Sequence, residues 1–468
     1  MNSERSFCRH VLEEEFRRAH ARELLRSGLR LGLACVMAVV LAWPSPTRAY
    51  AVLSHEAIID ATWETHLKPA LLKKFPDATE EQLSGAQAYA YGGSIIQDMG
   101  YYPYGSHFFS DLTHYVRSGD FIVALLRDAK DLDEYAFALG AMAHYAADND
   151  GHRIGTNRAV PILYPKLRKK YGDSVSYEQD PLAHVKTEFG FDVLEVAQER
   201  YAPDSYHDFI GFEVARDLLD RAFCETYGLE LKNVLLDESR ALNSYRRDVS
   251  KLLPKATRIA WSLKKDEIKG DLPGMTKKKF LFNLSRANYE RQWGKDYPKP
   301  SFGEKFLAFL SKLIPKIGPL KVLQFKTPTP QTEQMFEASF NATLERYRHL
   351  LAEERKGRLH LPNDNFDLGE VSGPGKYQMN DDTHAQLLDK LAENNFAGIS
   401  QDLRAELLDF YSDLNAALAT KRDAKAWARL QTELAQLKKA GASEVRATSA
   451  ANTGQHLAAK ELLVKIAP

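Results

Sequence analysis

The stretch LDEYAFALGAMAHYAAD, from Leu132 to Asp148, decides the fold class of this chain. It contains no proline and one glycine, and its apolar residues recur at spacings of three and four. These features predict a single buried helix. The segments from Glu80 to Tyr91, Phe121 to Leu126 and Phe212 to Tyr227 show a similar pattern, whereas strand signals are scarce. We therefore predict an all-α, multi-helix fold.

Polar and small residues interrupt this helical pattern. The sequences YYPYGS, NDGHRIG and YAPDS are typical of loops. A longer run of this kind, LPNDNFDLGEVSGPGKYQMNDD at 361–382, is interpreted as a linker, because the spacing of its oxygen donors fits no EF-hand. Residues 383–468 are predicted to form a C-terminal helical region, with two or three amphipathic helices between Thr383 and Lys439.

The composition is that of a globular protein. The chain has 468 residues, 44% of them apolar, and its 63 Lys and Arg balance its 63 Asp and Glu. With 27 Gly and 20 Pro it belongs to neither the collagen-like nor the low-complexity class. A chain of this length is expected to form about three domains.

The N-terminus has the pattern of a signal peptide. An uncharged apolar run of 13 residues, LGLACVMAVVLAW at 31–43, follows Arg22, Arg26 and Arg30 and precedes PSPTRA. A membrane-spanning helix needs about 20 apolar residues. Residues 1–49 are therefore predicted to be a signal peptide, which implies export to the periplasm or the medium. An uncleaved leader would instead anchor the chain in the membrane.

Cleavage would change the chemistry of the chain. A cut after Ala49 makes Tyr50 the new N-terminus, and Ala51 offers an alternative site. Of the three cysteines, the mature chain would retain Cys224 alone. An exported protein with a single thiol has no intramolecular disulfide, so its core or a metal must stabilise it.

The middle of the chain is strongly basic. From Arg246 to Lys326 there are 20 Lys and Arg against 7 Asp and Glu, a net charge of +13. Within it, SFGEKFLAFLSKLIPKIGPLKVLQFK at 301–326 mixes large apolar residues with regularly placed lysines. This pattern fits a surface helix that faces anionic lipid, and it equally fits a solvated helix packed on the body of the protein. We describe 245–360 as a basic, partly amphipathic region.

Acidic residues and histidines alternate in the N-terminal half. His144 and Asp148 are four residues apart on the predicted helix, and His184 and Glu188 repeat this spacing in AHVKTEFGF, so each pair shares one helix face. Further donors precede or lie between the pairs, namely His55, Asp98, His107, His114 and His152.

Buried ionisable groups at such spacings favour a metal site. An unpaired buried charge costs several kcal/mol, and a bound cation removes that cost. Nitrogen and oxygen donors without a thiolate suit zinc in a catalytic setting that leaves one position open. Any one of these histidines taken alone is more typically an ordinary core or surface residue, but two pairs with further donors in order favour a metal.

The order of these residues resembles that of the zinc-dependent phospholipase C superfamily, which includes the three-zinc single-strand nucleases. The resemblance covers roughly Tyr50 to Tyr227, within a predicted catalytic domain at 50–244. It rests on nine positions, which are Tyr50, His55, Asp98, His114 in DLTHYV, His144 and Asp148 in HYAAD, His152, His184 and Glu188.

This resemblance implies about three zinc ions per chain. The first would be held by Asp98, His114, His144 and Asp148, the second by His152, His184 and Glu188, and the third by Tyr50, His55 and a shared Asp148. In this family the freed N-terminal residue binds zinc through its amine and carbonyl, which Tyr50 would do after cleavage. The gap of four residues between Asp148 and His152 is shorter than usual in the family, and Asp150 is a competing donor. His107 has no counterpart in the family and is interpreted as structural or as a residue that supports a metal ligand.

Phosphodiester hydrolysis is the predicted activity. Three Zn²⁺ ions with three carboxylates leave about +3, which attracts an anion and activates a bound water. Asp98 is the candidate catalytic residue that orients or deprotonates this water. Because Glu188 resembles the phospholipase branch, we expect a phospholipase C that acts on glycerophospholipid at a membrane surface.

Two alternatives to a phospholipase stay open from the sequence. One is a single-strand nuclease, with nucleic acid held by the basic region. The other is a non-catalytic, zinc-stabilised helical protein that binds a membrane or a partner. No protein partner is identifiable from the sequence.

Overall fold

The computed structural model describes residues 52–197, 212–235, 237–249 and 324–440. The helices of the N-terminal part are α1 Val52–Thr62, α2 Lys68–Lys74, α3 Glu80–Gly93, α4 His107–Tyr115, α5 Ser118–Asp128, α6 Leu132–Asp150, α7 Asn157–Leu163, α8 Pro165–Tyr171, α9 Pro181–Ala197, α10 Arg216–Tyr227, α11 Leu231–Val234 and α12 Glu238–Arg247. Those of the C-terminal part are α13 Pro330–Arg355, α14 Gln378–Glu393, α15 Gln401–Phe410 and α16 Ala424–Lys439.

Short helices of other types lie between these elements. Within the described ranges, three are 3₁₀ turns, at Ile96–Tyr101, Tyr177–Gln179 and Ala419–Arg422, and two are π-helical, at Trp63–Leu67 and Gly151–Thr156. The described residues contain no strand beyond one isolated bridge between Asn365 and Glu370. The predicted all-α fold is confirmed.

Helix α6 lies at the centre of the fold, and its side chains are buried from Tyr135 to Asp150. It begins at Asp131, whose carboxylate accepts a hydrogen bond from the Glu134 amide at 2.8 Å. Its small residues allow α3 to approach closely. A Cβ atom at Gly140 would lie 2.1 Å from the Ala90 carbonyl oxygen. This close packing fixes the depth at which the C-terminal half of α6 presents its polar side chains.

The C-terminal part packs on the same helix. On α13, the Tyr347 hydroxyl donates to the carbonyl oxygen of Leu139 in α6 at 2.9 Å. The ring of Phe336, also on α13, stacks on Phe191 of α9 with centroids 4.7 Å apart. One cluster of buried apolar residues runs from Val52 to Leu437, so elements from both ends of the described chain share a core. The division into domains stays a prediction.

The prediction that NDGHRIG at 149–155 forms a loop is wrong. Helix α6 continues through Asp150, and Gly151–Thr156 then forms a π-helical turn. Burial accounts for the difference, because α13 covers this turn and supplies Arg346, whose guanidinium makes two hydrogen bonds to Asp150 at 3.0 and 3.1 Å. The helix predicted from Phe212 begins instead at Arg216, since the Glu213 amide donates to the Ala88 carbonyl of α3 at 3.0 Å.

The segment 361–382 follows α13 and overlaps the start of α14, which begins at Gln378, so the predicted linker is shorter in the structure. The polar composition predicts a solvated linker, but the first part of this segment is buried. Residues from Asp364 to Asp367 are buried, and Phe366 is fully enclosed. At Gly119 of α5, a Cβ atom would lie 2.3 Å from the carbonyl oxygen of Leu361, so the segment presses directly against α5.

Several predictions lie outside the described residues. These are the signal peptide at 1–49, Tyr50, the loop at 201–205, most of the basic region, and the chain after 440. Cys224, within the described part, is a free and exposed thiol. Among the helices that the structure describes, none combines the length and the apolar character needed to cross a bilayer.

Candidate metal centre

Helix α6 carries the first pair of donors. His144 and Asp148 lie one turn apart and are fully buried, with Nε2 of His144 3.2 Å from Oδ2 of Asp148. His55, on α1, joins them: its Nε2 is 3.5 Å from Oδ1 of Asp148, and its ring stacks on His144 with centroids 4.4 Å apart. Donor atoms of these three residues lie within 4.8 Å of one another, which is close enough to share one ion.

A second group shares His144 with the first. Asp98 lies on the 3₁₀ turn Ile96–Tyr101, and His114 lies near the end of α4. Nε2 of His114 is 3.5 Å from Oδ1 of Asp98 and 3.3 Å from Oδ2 of Asp148. Asp98, His114 and His144 again have donor atoms within 4.8 Å of one another.

Backbone carbonyls orient these histidines. Nδ1 of His114 is 2.7 Å from the Ser110 oxygen, and Nδ1 of His144 is 2.9 Å from the Ser94 oxygen. A carbonyl can only accept, so each Nδ1 carries the hydrogen and each Nε2 of a neutral ring has a lone pair. Both Nε2 atoms face Oδ2 of Asp148, at 3.3 Å from His114 and 3.2 Å from His144. A cation between them would replace repulsion with attraction, so the donor set fits a metal.

The pKa shifts of His114 and Asp148 also indicate a site that favours positive charge. Burial alone would lower the pKa of His114, but hydrogen bonding to Asp148 and Asp98 outweighs it and raises this pKa to about 10. Burial likewise would raise the pKa of Asp148, but His144, His114 and His55 hold it well below its usual range.

A third group forms between the π-helical turn and α9. It contains His152, His184 and Glu188, with Nδ1 of His184 3.5 Å from Oε1 of Glu188. Nε2 of His184 is 2.6 Å from the Val175 carbonyl oxygen, which leaves Nδ1 with the lone pair. Burial lowers the pKa of His152 and of His184 to about 4, so both rings are neutral and suited to metal binding.

Comparison with known proteins identifies the family of this site. A family model described as zinc dependent phospholipase C matches residues 54–236, which include all eight side chains of the three groups. Residues 54–236 belong to the zinc-dependent phospholipase C family. No curated protein and no solved structure matches the chain. The family supports a zinc-dependent hydrolase, whereas the role of each residue as a ligand and the number of ions stay predictions.

Other predicted donors lie outside the three groups. Asp150 is engaged by Arg346 and by Arg153, whose Nη2 is 2.8 Å from Oδ1 of Asp150, so it is no longer a competing ligand. His107 is exposed and contacts the Tyr101 ring edge-on at 5.3 Å, and its role stays a prediction.

The chain near the predicted ligand Tyr50 is anchored in this domain. Tyr50 itself lies outside the described residues. Asp192 of α9 accepts hydrogen bonds from the Leu53 amide at 3.0 Å and the Ser54 hydroxyl at 2.8 Å. These bonds hold the start of α1 three residues beyond Tyr50.

A segment from the C-terminal part of the chain contacts the donor groups, and the sequence pattern did not predict this contact. The Phe366 amide donates to the His114 carbonyl oxygen at 3.2 Å, and its ring lies 5.2 Å from the His114 ring. Oδ1 of the next residue, Asp367, is 3.1 Å from Nε2 of His152. The one signal in the sequence is a lone aromatic residue in the polar run NDNFDLG, which indicates burial but not where it occurs.

Proposed function

We propose that the protein is a zinc-dependent phosphodiester hydrolase, a phospholipase C that acts on glycerophospholipids. The observation that carries this proposal is the convergence of eight side chains, from six local elements, into three buried donor groups. The lone pairs of these groups face carboxylates, so binding of divalent cations would stabilise them.

The three groups would hold up to three zinc ions. Asp98, His114 and His144 would bind one with Asp148, and His152, His184 and Glu188 would bind another. His55 and Asp148 would bind the third, completed by the freed amine and carbonyl of Tyr50. When bound, zinc supplies Lewis acidity toward phosphate oxygens and lowers the pKa of water.

The side chains themselves orient the reaction. Asp98 is fully buried beside His114 and is the carboxylate that we assign to orienting or deprotonating the attacking water. The carbonyls of Ser94, Ser110 and Val175 hold three imidazoles in fixed orientations, so little rearrangement is needed on binding. The enclosing apolar side chains, Phe366 among them, exclude bulk water and strengthen the electrostatic contacts.

Phospholipid is the substrate class that we favour. Glu188, rather than Asp, occupies the acidic position of the third group, which resembles the phospholipase branch. The basic region at 246–326, with its net +13, would attract an anionic interface. His55 follows Tyr50 by five residues, a spacing that resembles the nuclease branch of the family, so single-stranded nucleic acid is the second candidate.

Turnover of two substrates by one preparation tests the proposal. Zinc-loaded protein is assayed on phosphatidylcholine micelles and on single-stranded DNA, beside the variants His144→Ala and His349→Ala. His349 is exposed on α13 and belongs to none of the three groups, so it serves as the matched control.

We expect release of the phosphorylated head group, loss of that activity in His144→Ala, and full activity in His349→Ala. Cleavage of DNA without cleavage of phospholipid would favour the nuclease over the phospholipase as the function of the protein. Activity that survives His144→Ala would refute the catalytic assignment.

A further inference from the structure

A carboxylate from beyond the family match contacts one histidine of the third donor group. Asp367 lies on the segment between α13 and α14, more than 100 residues after the matched range ends at 236. Its side chain is buried, and Oδ1 is 3.1 Å from Nε2 of His152. Neither the sequence pattern nor the family match assigns a role to this residue.

Asp367 is held in place by several contacts. The hydroxyls of Tyr115 on α4 and Tyr377 both donate to Oδ2, the former at 2.9 Å. The Asp367 amide donates to Oδ1 of Asn365 at 3.0 Å, and the carbonyl oxygen accepts from Asn157 at 2.8 Å. With Oδ2 occupied by two hydroxyls, the free oxygen is the one that faces His152.

The two nitrogens of His152 differ in their surroundings. Nε2 faces the Asp367 carboxylate, whereas Nδ1 is buried and has no hydrogen-bond partner in the described structure. Donor atoms of His152, His184 and Glu188 converge within 4.8 Å, and no oxygen of Asp367 belongs to that set. A carboxylate beside Nε2 keeps the hydrogen there, which leaves the lone pair of Nδ1 for a metal.

We propose that Asp367 is a positioning residue for the metal site formed by His152, His184 and Glu188. It accepts the Nε2 hydrogen of His152, fixes the tautomer with Nδ1 free, and raises the basicity of that nitrogen toward zinc. This inference rests on the proposed zinc binding. In this proposal the C-terminal part of the chain, through Asp367, contributes to the metal centre.

The partners of the other histidines support this assignment. His114, His144 and His184 each direct one ring nitrogen to a backbone carbonyl, which orients the ring without a charge. His152 lies in the π-helical turn, and the group it faces is a carboxylate that reaches it from another part of the chain. Because a carboxylate accepts more strongly than a carbonyl, its loss should weaken metal binding measurably.

Zinc retention in Asp367→Asn tests the proposal. Purified zinc-loaded protein is treated with a chromogenic chelator, and zinc release is followed in time beside metal counting. We expect one zinc to be lost about 10- to 100-fold more readily than from the wild type, the usual effect of removing such a partner. The zinc of the other groups should be retained. Tyr377→Phe, which removes one donor to Asp367, should give a smaller change in the same direction.

Asp364→Asn is the matched control. Asp364 is a buried carboxylate on the same segment, but it accepts from the Tyr145 hydroxyl at 3.0 Å and belongs to none of the donor groups. Its substitution should leave zinc release unchanged. If it accelerates release as much as Asp367→Asn does, general loosening of the segment explains the effect and the proposal is wrong.

A spectroscopic measurement distinguishes positioning from direct coordination. In the zinc-loaded protein with ¹⁵N-labelled histidine, we expect His152 to be bound through Nδ1 with the hydrogen on Nε2. Asp367→Asn should perturb that signal, and Asp367→Glu should partly restore it. Binding of His152 through Nε2 would overturn the proposal.

The failure of this inference is separable from the failure of the proposed function. A wild-type protein that binds no zinc would overturn both. A wild-type protein that binds zinc, with release unchanged by Asp367→Asn, would overturn the role of Asp367 alone.

Discussion

Asp148 and His114 belong to different helices, yet Oδ2 of Asp148 lies 3.3 Å from Nε2 of His114 while Oδ1 lies 3.5 Å from Nε2 of His55. The two oxygens of one buried carboxylate thus face two donor groups. The side chain has no exposed surface, so its charge must be balanced locally.

Removal of this shared charge should affect two ions at once. We expect Asp148→Asn to lose zinc from both groups that it faces, whereas Glu188→Gln should lose zinc from the third group alone. The reason is that Asn keeps the size of the side chain but not the charge that balances the cations. Metal counting on the two purified variants checks this. Equal zinc loss in the two variants would contradict the sharing of Asp148.

Metal removal should destabilise the fold. Without zinc, the lone pairs of His144 and His184 face carboxylates with no cation between them. A ligand present at 100 times its Kd stabilises the folded state by about 2.7 kcal/mol. We expect chelation to abolish turnover and lower the Tm by several degrees, and added zinc to restore both. A Tm that is unaffected by chelation would show that the groups hold no metal in the native protein.

Substitution of Gly119 tests the contact between α5 and the segment that carries Asp367. A Cβ at Gly119 would overlap the carbonyl oxygens of Leu361 and Pro362, at 2.3 and 2.4 Å. We expect Gly119→Ala to destabilise the protein by roughly 1–3 kcal/mol, because the segment must shift. Urea unfolding measures this change.

Gly85→Ala is the control for this glycine. A Cβ at Gly85 of α3 would have no atom within 4 Å, so the substitution should stabilise that helix by up to about 1 kcal/mol. If both alanine variants were neutral, the segment would not pack tightly on α5.

Asp389 on α14 and Glu433 on α16 form a pair of neighbouring carboxyl groups, which should make the free energy of unfolding depend on pH. Burial, with Asp389 close by, raises the pKa of Glu433 to about 7, although Arg429 opposes the shift. A carboxyl whose pKa is raised on folding favours the folded state when protonated. The contribution of Glu433 to the stability of the folded state is therefore fully present below about pH 4.5 and is lost as the pH rises through about 7.

Glu433→Gln tests that dependence. We expect the variant to have a higher Tm than the wild type at pH 8 and a smaller difference between pH 6 and pH 8. Thermal unfolding at the two pH values checks this. A wild-type Tm that rises between pH 6 and pH 8, with Glu433→Gln unchanged, would contradict the assigned direction.

Local spacing was sufficient to predict the parts of the site that lie on one element. His144 with Asp148, and His184 with Glu188, lie one turn apart on α6 and α9, so a pattern of four residues predicts their proximity. The resemblance to a family then placed His55, Asp98, His114 and His152 with them, and the structure brings all of these together.

Tertiary contacts explain what the sequence did not reveal. The run NDGHRIG has the composition of a loop, but the buried Asp150 is paired with Arg346, 196 residues away, and the backbone stays helical. The polar run around Asp367 looks solvated, yet Asp367 is buried and accepts hydrogen bonds from Tyr115, 252 residues away, and from Tyr377, 10 residues away. Neither partnership leaves a periodic signal in the sequence.

The hydrogen bond from Tyr115 to Asp367 joins residues 252 positions apart, and it has a consequence for biosynthesis. A ribosome has already made all eight donor side chains long before residue 367 emerges. Closure of so long a loop is slow, so we expect the metal centre to mature late, after the chain is nearly complete. A fragment cut to the family match would carry all eight donor side chains and still lack Asp367, the carboxylate that contacts His152.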